Sequence, residues 1–493
     1  MSRFRSAPAI RKHIITTISG RAGDSIRRRL ISLLVVTVAV SRAIAAETTP
    51  ASVPIHLGTG PHLLLDSGLV AVSEGVTRTT QRPVRGLKEP VINGKDDGNF
   101  QPYFTILRDD KSGRFRIWYN VPTGAPSAGR SKLGYMESED GIHWIQPHRV
   151  LGGTGGIQYC ASVIDDGPGA ADPAQRYKLG FHMDRGLKIA ASPDGLAWTP
   201  MNGGKVLIPQ THDINSIWRD DIRKQYVATL SFFEEGPAYP GKRRQTKQAT
   251  STDLIHWSEP WYVLRTDEKD QGRTEFYAMD GFIQRGGLTI GMVKVLRDDV
   301  PADLPPTPKG AYGTGYTTLA WTRDGTHWTR EREPFFERDP DKNAWDHSHA
   351  WIDEQLPVGD EVYLYYAGYA HGHKVNAARE RQIGLLRIKR DRYVAYEAGD
   401  KRGTFRTPAV TLDASDGLTI NADASPGGEV RVQVLDEAQK PIKGYAFADM
   451  KPVTKDALAT PVQWQEPLSR LKGRTVCLEF SVRNAKVYAF ELK

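Results

Sequence analysis

Three acidic positions in this chain are spaced so that their carboxylates could serve one reaction. Asp96 or Asp97 lies in Lys95-Asp-Asp-Gly-Asn99, Asp213 in Thr211-His-Asp-Ile-Asn215, and Glu275 in Arg273-Thr-Glu-Phe-Tyr277. Each stands just before, or at the start of, an apolar run. Acid–base chemistry needs such a set: one carboxylate ionised, another protonated and ready to donate. Their surroundings must push the two pKa values apart. At comparable places fall Gln158, His212, Trp218, Tyr277, Asp346, His347 and His349, which are candidates for contacts to a substrate. Asp109, Asp165 and Asp220 fall later, between paired runs, and read as solvated turn residues.

A repeated phrase supplies the elements that would bring these positions together. It reads Ser138-Glu-Asp-Gly-Ile-His-Trp144, Ser192-Pro-Asp-Gly-Leu-Ala-Trp198, Ser251-Thr-Asp-Leu-Ile-His-Trp257 and Thr322-Arg-Asp-Gly-Thr-His-Trp328. Self-similarity at such a period signals a repeat architecture. Asp followed by Gly caps a tight turn, because Asp bonds its own backbone and Gly tolerates positive φ. Strand-like runs precede each copy, for example Phe104–Leu107, Phe115–Tyr119 and Leu133–Met136 before the first. A fifth unit ends in a decayed copy, Lys389-Arg-Asp-Arg-Tyr393. Units of four short strands at this spacing predict an all-β fold: a five-bladed β-propeller over 96–398, followed by a C-terminal β-sandwich over 404–493. Inner strands of a propeller face one channel, so the polar residues that begin them converge.

Residues 46–95 form a lead-in. Its segment 54–75 either closes the ring or pairs with the C-terminal domain. Three stretches read as long loops: Val121–Arg130, Glu234–Thr246 and Asp298–Gly315. The sandwich, with alternating runs such as Glu429–Leu435 and Val476–Val482, reads as structural support.

Residues 1–45 carry the pattern of a signal peptide: Arg27-Arg28-Arg29, an apolar run Leu30–Val40, then Ala43-Ile-Ala45. The run is short for a membrane span, so no integral span is expected after cleavage, and the protein is expected in the periplasm or secreted. That segment holds nine Lys/Arg and one acid; the remaining chain holds 57 of each and is neutral. Nothing there suggests nucleic acid as a partner. Cys160 and Cys477 fall in different domains and are expected as buried free thiols.

The five units, the [S/T]-x-D-[G/L]-x-x-W turns and the Asp…Asp…Glu order resemble the glycoside hydrolase clan of families 32, 43, 62 and 68, and a group of exported bacterial relatives. The resemblance covers about residues 95–398, and loosely the sandwich. It implies a glycosidase acting on a plant, algal or microbial polysaccharide or oligosaccharide. By position it makes Asp97 the base or nucleophile, Asp213 the residue that orients and tunes, and Glu275 the general acid. Phe276 and Tyr277 would give Glu275 an apolar surround. Blade one reads Asp97-Gly-Asn-Phe where family 32 carries Asn-Asp-Pro-Asn, which leaves Asp96 and Asp97 both open. The chemistry requires no cofactor, and a channel cation near the histidines stays open as an addition. A propeller that binds carbohydrate without cleaving it is the alternative.

Overall fold

The computed structural model describes residues 53–94, 101–122, 131–145, 147–236, 241–302, 312–373 and 381–493. Among them the regular structure is β-strand with a few short 3-10 turns. No helix among them is long and apolar enough to cross a membrane.

Five antiparallel strand groups, called sheets below, follow in chain order, the fourth and fifth being parts of one eight-stranded sheet. The first pairs Gln101–Arg108, Phe115–Pro122, Ser131–Ser138 and Arg149–Leu151. The second pairs Tyr159–Asp165, Tyr177–Met183, Gly186–Ser192 and Thr199–Pro200. The third holds Asn215–Asp220, Gln225–Glu235, Lys242–Ser251 and Trp261–Leu264. The fourth holds Thr274–Arg285, Leu288–Pro301, Tyr312–Thr322 and Thr329–Arg330. The fifth holds His349–Val358, Glu361–Tyr369 and Gln382–Lys389, and its outer edge takes Val84–Arg85 from the lead-in. One parallel pair, Gly315 with His349, links the fourth and fifth.

The repeated phrase has the same geometry four times. In the second copy, Asp194 Oδ1 accepts from the backbone N–H of Leu196 and Ala197 at 2.8 and 3.0 Å. Ser192 Oγ donates to that same oxygen and accepts from Gly195 N–H at 2.9 Å. The residue after the Asp is left-handed in every copy: Gly141, Gly195, Leu254 and Gly325 have φ of 75, 79, 66 and 77°. This turns the chain so that its apex docks on another sheet. Gly195 O accepts from Trp118 Nε1 of the first sheet at 2.7 Å, and Gly141 O accepts from Tyr365 OH of the fifth at 2.9 Å. Arg223 of the third sheet donates to Arg323 O in the fourth copy.

Hydroxyls join sheets nearer the middle. Thr105 Oγ1 donates to Ala161 O and accepts from Val163 N–H. Ser162 bonds Ile217 in the same two ways, and Thr317 bonds Ala350 and Ile352. The first strands pack in a cycle: first on second, second on third, third on fourth, fourth on fifth, and fifth back on first. They enclose a cavity of about 220 Å³ lined by residues of all five, among them Tyr103, Ser162, Ser216, Asp280 and Glu354. Beside it the buried Lys294 ammonium pairs with Asp280 at 2.8 Å and with Asp353. Burial pushes the Asp353 carboxyl up to about 8, against the pull of Lys294.

The remaining strands form a ten-stranded assembly around Leu418–Leu435 and Thr475–Leu492. It takes in Val394–Ala398, Gly403–Arg406, Val410–Leu412 and Asp456–Pro461, and also Ile55–Leu57, Gly60–Leu63, Val72–Glu74 and Thr77–Thr80 from the lead-in. Within 54–75, therefore, the strands pair with C-terminal ones. The assembly has its own core, including Val432, Phe480 and Phe490. It is tied to the sheets by Arg392–Asp456 at 2.6 Å and Arg285–Asp391 at 2.7 Å. Two of the stretches read as loops begin and end in hairpin strands: the strands run on to Glu235 and Pro301 and resume at Lys242 and Tyr312. Both cysteines are buried and free.

Gly195 tests the docked turn. A Cβ there would lie 2.8 Å from Trp118 Cζ2, on a left-handed residue. Gly195→Ala is expected to cost at least ~2 kcal/mol, combining the left-handed penalty with overpacking. The midpoint of urea unfolding should fall with an unchanged slope.

Candidate active site

Asp213 precedes the first strand of the third sheet and is held from two sides. His212 N–H donates to Ser231 O at 2.7 Å, and Ser231 N–H to Ile214 O at 2.9 Å. From the second sheet, Cys160 Sγ accepts from Asn215 N–H at 3.2 Å and donates to Asp213 O at 3.4 Å. Cys160 has φ of 71°, at a register shift between Tyr159 and Ser162. Bulges of this kind re-aim side chains.

Glu275 is the second residue of the fourth sheet's first strand and is 2 % exposed. The register shifts again between Phe276 and Ala278, leaving Tyr277 outside the ladder. Phe276 goes into a hydrophobic cluster with Leu264 and Val295.

The residue that unites them is Arg244, on the third strand of the third sheet. Its Nη1 donates to Glu275 Oε1 at 2.6 Å, and its backbone N–H to Oε2 at 3.2 Å. Its Nη2 and Nε reach Asp213 Oδ2 and Oδ1 at 3.3 and 3.4 Å. His212 Nδ1 also bonds Asp213 Oδ1. Burial pushes the Asp213 carboxyl up, but Arg244 and His212 outweigh it and hold it well below the usual carboxylate range. The apolar surround expected for Glu275 is thus replaced by a guanidinium, because Phe276 faces away.

Arg244 lies 4.2 Å over the Tyr277 ring. Tyr277 OH sits 2.9 Å from Tyr103 OH and 3.1 Å from His373 Nε2. Burial, against the pull of Arg244, pushes the Tyr277 phenol up to about 12. Trp351 stacks on the far side of Tyr277 with centroids 4.5 Å apart, and His349 packs edge-on against Trp351 at 4.6 Å. Burial lowers His349 to about 3, and His373 also falls well below the usual range, so both rings are neutral.

The structure therefore brings together Asp213, Glu275, His212 and Tyr277, with His349 one ring further out. Gln158 lies beside Tyr159, its N–H donating to His182 O at 3.0 Å. Three expected contacts have other partners. Trp218 is buried lower in the channel, stacked on Phe282 at 4.5 Å. Asp346 accepts from Arg85 and from Tyr366 OH, which makes it an anchor for the lead-in. His347 Nδ1 bonds Asp339 O at 3.0 Å. Asp96 and Asp97 lie outside the described residues. Among the described residues, no three His, Cys, Asp or Glu side chains are grouped to hold a metal ion.

Arg244, Tyr103 and His373 were not found from sequence. Arg244 sits in Lys242-Arg-Arg-Gln-Thr-Lys247, six polar residues in which strand alternation leaves no trace. Only its hairpin partner strand, with Phe232 and Phe233, hints that the run is a strand.

No protein-family model and no curated protein matches the chain. Solved structures similar to it include one titled a glycoside hydrolase, at 11% identity and a TM-score of 0.42, covering 66% of this chain and 94% of that one. A family 43 arabinoxylan arabinofuranohydrolase from Bacillus subtilis, in complex with cellotetraose, shares 11% identity over 82% of this chain and 99% of its own, with a TM-score of 0.39. A glycosyl hydrolase from Bacteroides ovatus shares 17% over 70% and 97%, with a TM-score of 0.39. Neither activity nor substrate transfers from these proteins at such identity.

Arg244→Met leaves two buried carboxylates without their counter-charge, and is expected to cost on the order of 3–5 kcal/mol near neutral pH. Folded Asp213 titrates below its unfolded value of about 3.9, so its contribution is present above that pH and lost on acidification. The gap between wild type and variant should narrow as unfolding is measured below about pH 4.

Proposed function

We propose that this chain is an exported glycoside hydrolase. Its five sheets are read as the blades of a five-bladed β-propeller over 96–398, closed at the fifth blade by Val84–Arg85. Residues 404–493 are read as an accessory β-sandwich, and residues 1–45 as the export signal. The substrate is a plant, algal or microbial polysaccharide or oligosaccharide, cleaved by carboxylate acid–base chemistry without a cofactor. One observation carries this reading: Asp213 and Glu275, from neighbouring sheets, meet on one guanidinium.

In this reading Glu275 is the acid. Its bond to Arg244 Nη1 gives way as the leaving oxygen of the substrate takes that place, while Arg244 remains on Asp213. Asp213, kept ionised, fixes Arg244. Asp97, or its neighbour Asp96, activates water or attacks carbon. Tyr277, tethered to Tyr103 and His373, holds the floor.

The Arg244–Glu275 ion pair also favours a second reading, because both Glu275 oxygens are already engaged as hydrogen-bond acceptors. A propeller that only binds carbohydrate would use the same groups as hydrogen-bond donors and acceptors. Glu275→Gln separates the two. It should lower the rate on an unactivated glycoside on the order of 100-fold or more, and far less on an aryl glycoside with a good leaving group. Equal cleavage by variant and wild type removes Glu275 as the acid. Binding without cleavage across a broad glycoside panel establishes the second reading.

A further inference from the structure

The aromatic rings singled out for substrate contact have little face to offer. Tyr277 is 4 % exposed, with Trp351 on one side and Arg244 on the other. Trp218 is 8 % exposed and stacked on Phe282. Phe233 is different. It is 45 % exposed at the end of the third sheet's second strand, directly opposite Arg244 in the ladder. Residues paired in this way project from the same face of a sheet, with Cβ atoms about 4.5–5.5 Å apart. One face of the ring lies on His212, with centroids 5.2 Å apart and planes 28° from parallel. His212 in turn bonds Asp213. The ring thus stands one stacked residue from a site carboxylate while much of its surface stays accessible.

We propose that Phe233 is the outer platform of a carbohydrate-binding subsite, taking the apolar face of a sugar ring next to the one held at Asp213, Arg244 and Glu275. This rests on the glycoside reading of the site and extends it: the ligand is a chain of at least two sugars. An exposed Phe costs stability unless something covers it, and a pyranose or furanose ring presents C–H groups to an aromatic face. An exposed aromatic in the same sheet supplies the contrast. Tyr262 is 41 % exposed, but Lys247 and Arg265 lie over its ring at 4.3 and 4.2 Å, and its hydroxyl donates to Glu234 at 2.5 Å. That ring is already occupied.

Calorimetric titration of the full chain tests the proposal. The probes are oligosaccharides from arabinan, xylan, mannan and cellulose, with the matching methyl monoglycosides. Phe233→Ala should weaken oligosaccharide binding on the order of 3- to 10-fold, the range expected for one lost aromatic stack, and leave monoglycoside binding unchanged. Phe233→Trp should restore it, and Tyr262→Ala should match wild type. Oligosaccharide affinity unchanged in Phe233→Ala overturns the platform while leaving the glycoside reading intact. Equal weakening of monoglycoside and oligosaccharide also overturns it, since that indicates damage at Asp213. Wild type that binds no sugar of the panel overturns the glycoside reading and the platform together.

Discussion

Everything in this structure depends on how a carboxylate holds a turn. In each copy of the repeated phrase, an exposed Asp accepts two backbone N–H groups of the turn and so fixes its shape. The Ser or Thr hydroxyl secures the Asp and accepts a third N–H. The price is a left-handed residue. Three copies use Gly, and the fourth uses Leu254, for which that conformation costs roughly 1–2 kcal/mol. Leu254 is 1 % exposed and packs with Leu187 and Ile189 of the preceding sheet, which offsets the strain. A turn fixed this firmly can be used as a surface feature. It presents its apex to the preceding sheet as a rigid knob, and successive sheets are set beside one another by these knobs.

The same dependence on the neighbour recurs nearer the axis. Thr105 and Ser162 on first strands, and Thr317 on the fourth sheet's third strand, each both donate to and accept from the backbone of the following sheet, so a single side-chain oxygen bridges each of these gaps. Charge is handled in like manner. Lys294 of the fourth sheet pairs with Asp280 beside it and bonds Asp353 of the fifth, and Arg244 of the third neutralises Glu275 of the fourth. A buried charge without its partner is costly, so these cross-sheet pairs also specify which sheets are adjacent.

Patterns that repeat along the chain were legible in the sequence. The strand order and the turns follow from alternation and from Asp-Gly chemistry, and these place Asp213 and Glu275 at equivalent points of two neighbouring units. What could not be read depends on residues far apart in sequence. Arg244 is hidden in an all-polar run, and its role appears only when two sheets meet. Asp346 looks like a channel carboxylate by position, yet Arg85, 261 residues earlier, claims it. The apolar surround assumed for Glu275 ignored the register shift at Tyr277, which a sequence does not announce. Loop lengths were overestimated for a related reason: polar strand extensions such as Lys242–Lys247 carry no alternation to mark them.

These cross-sheet supports explain why the carboxylates can be held so closely. Asp213 is positioned by its own sheet and also by Cys160 of the preceding one, whose sulfur bonds the backbone on both sides of Ile214. Cys160 keeps a left-handed conformation to do so, and strain of that kind persists only where the surroundings over-determine it. Those surroundings are present: the residue is 3 % exposed, and Asn120 donates to its carbonyl at 3.1 Å. Each group at the mouth is thus fixed by a neighbour that has no reactive role of its own. The second sheet holds Asp213, the third holds Glu275 through Arg244, and the first steadies Tyr277 through Tyr103. Preorganisation of this kind is what an acid–base site requires, because dipoles and charges already in place need not reorganise as charge develops.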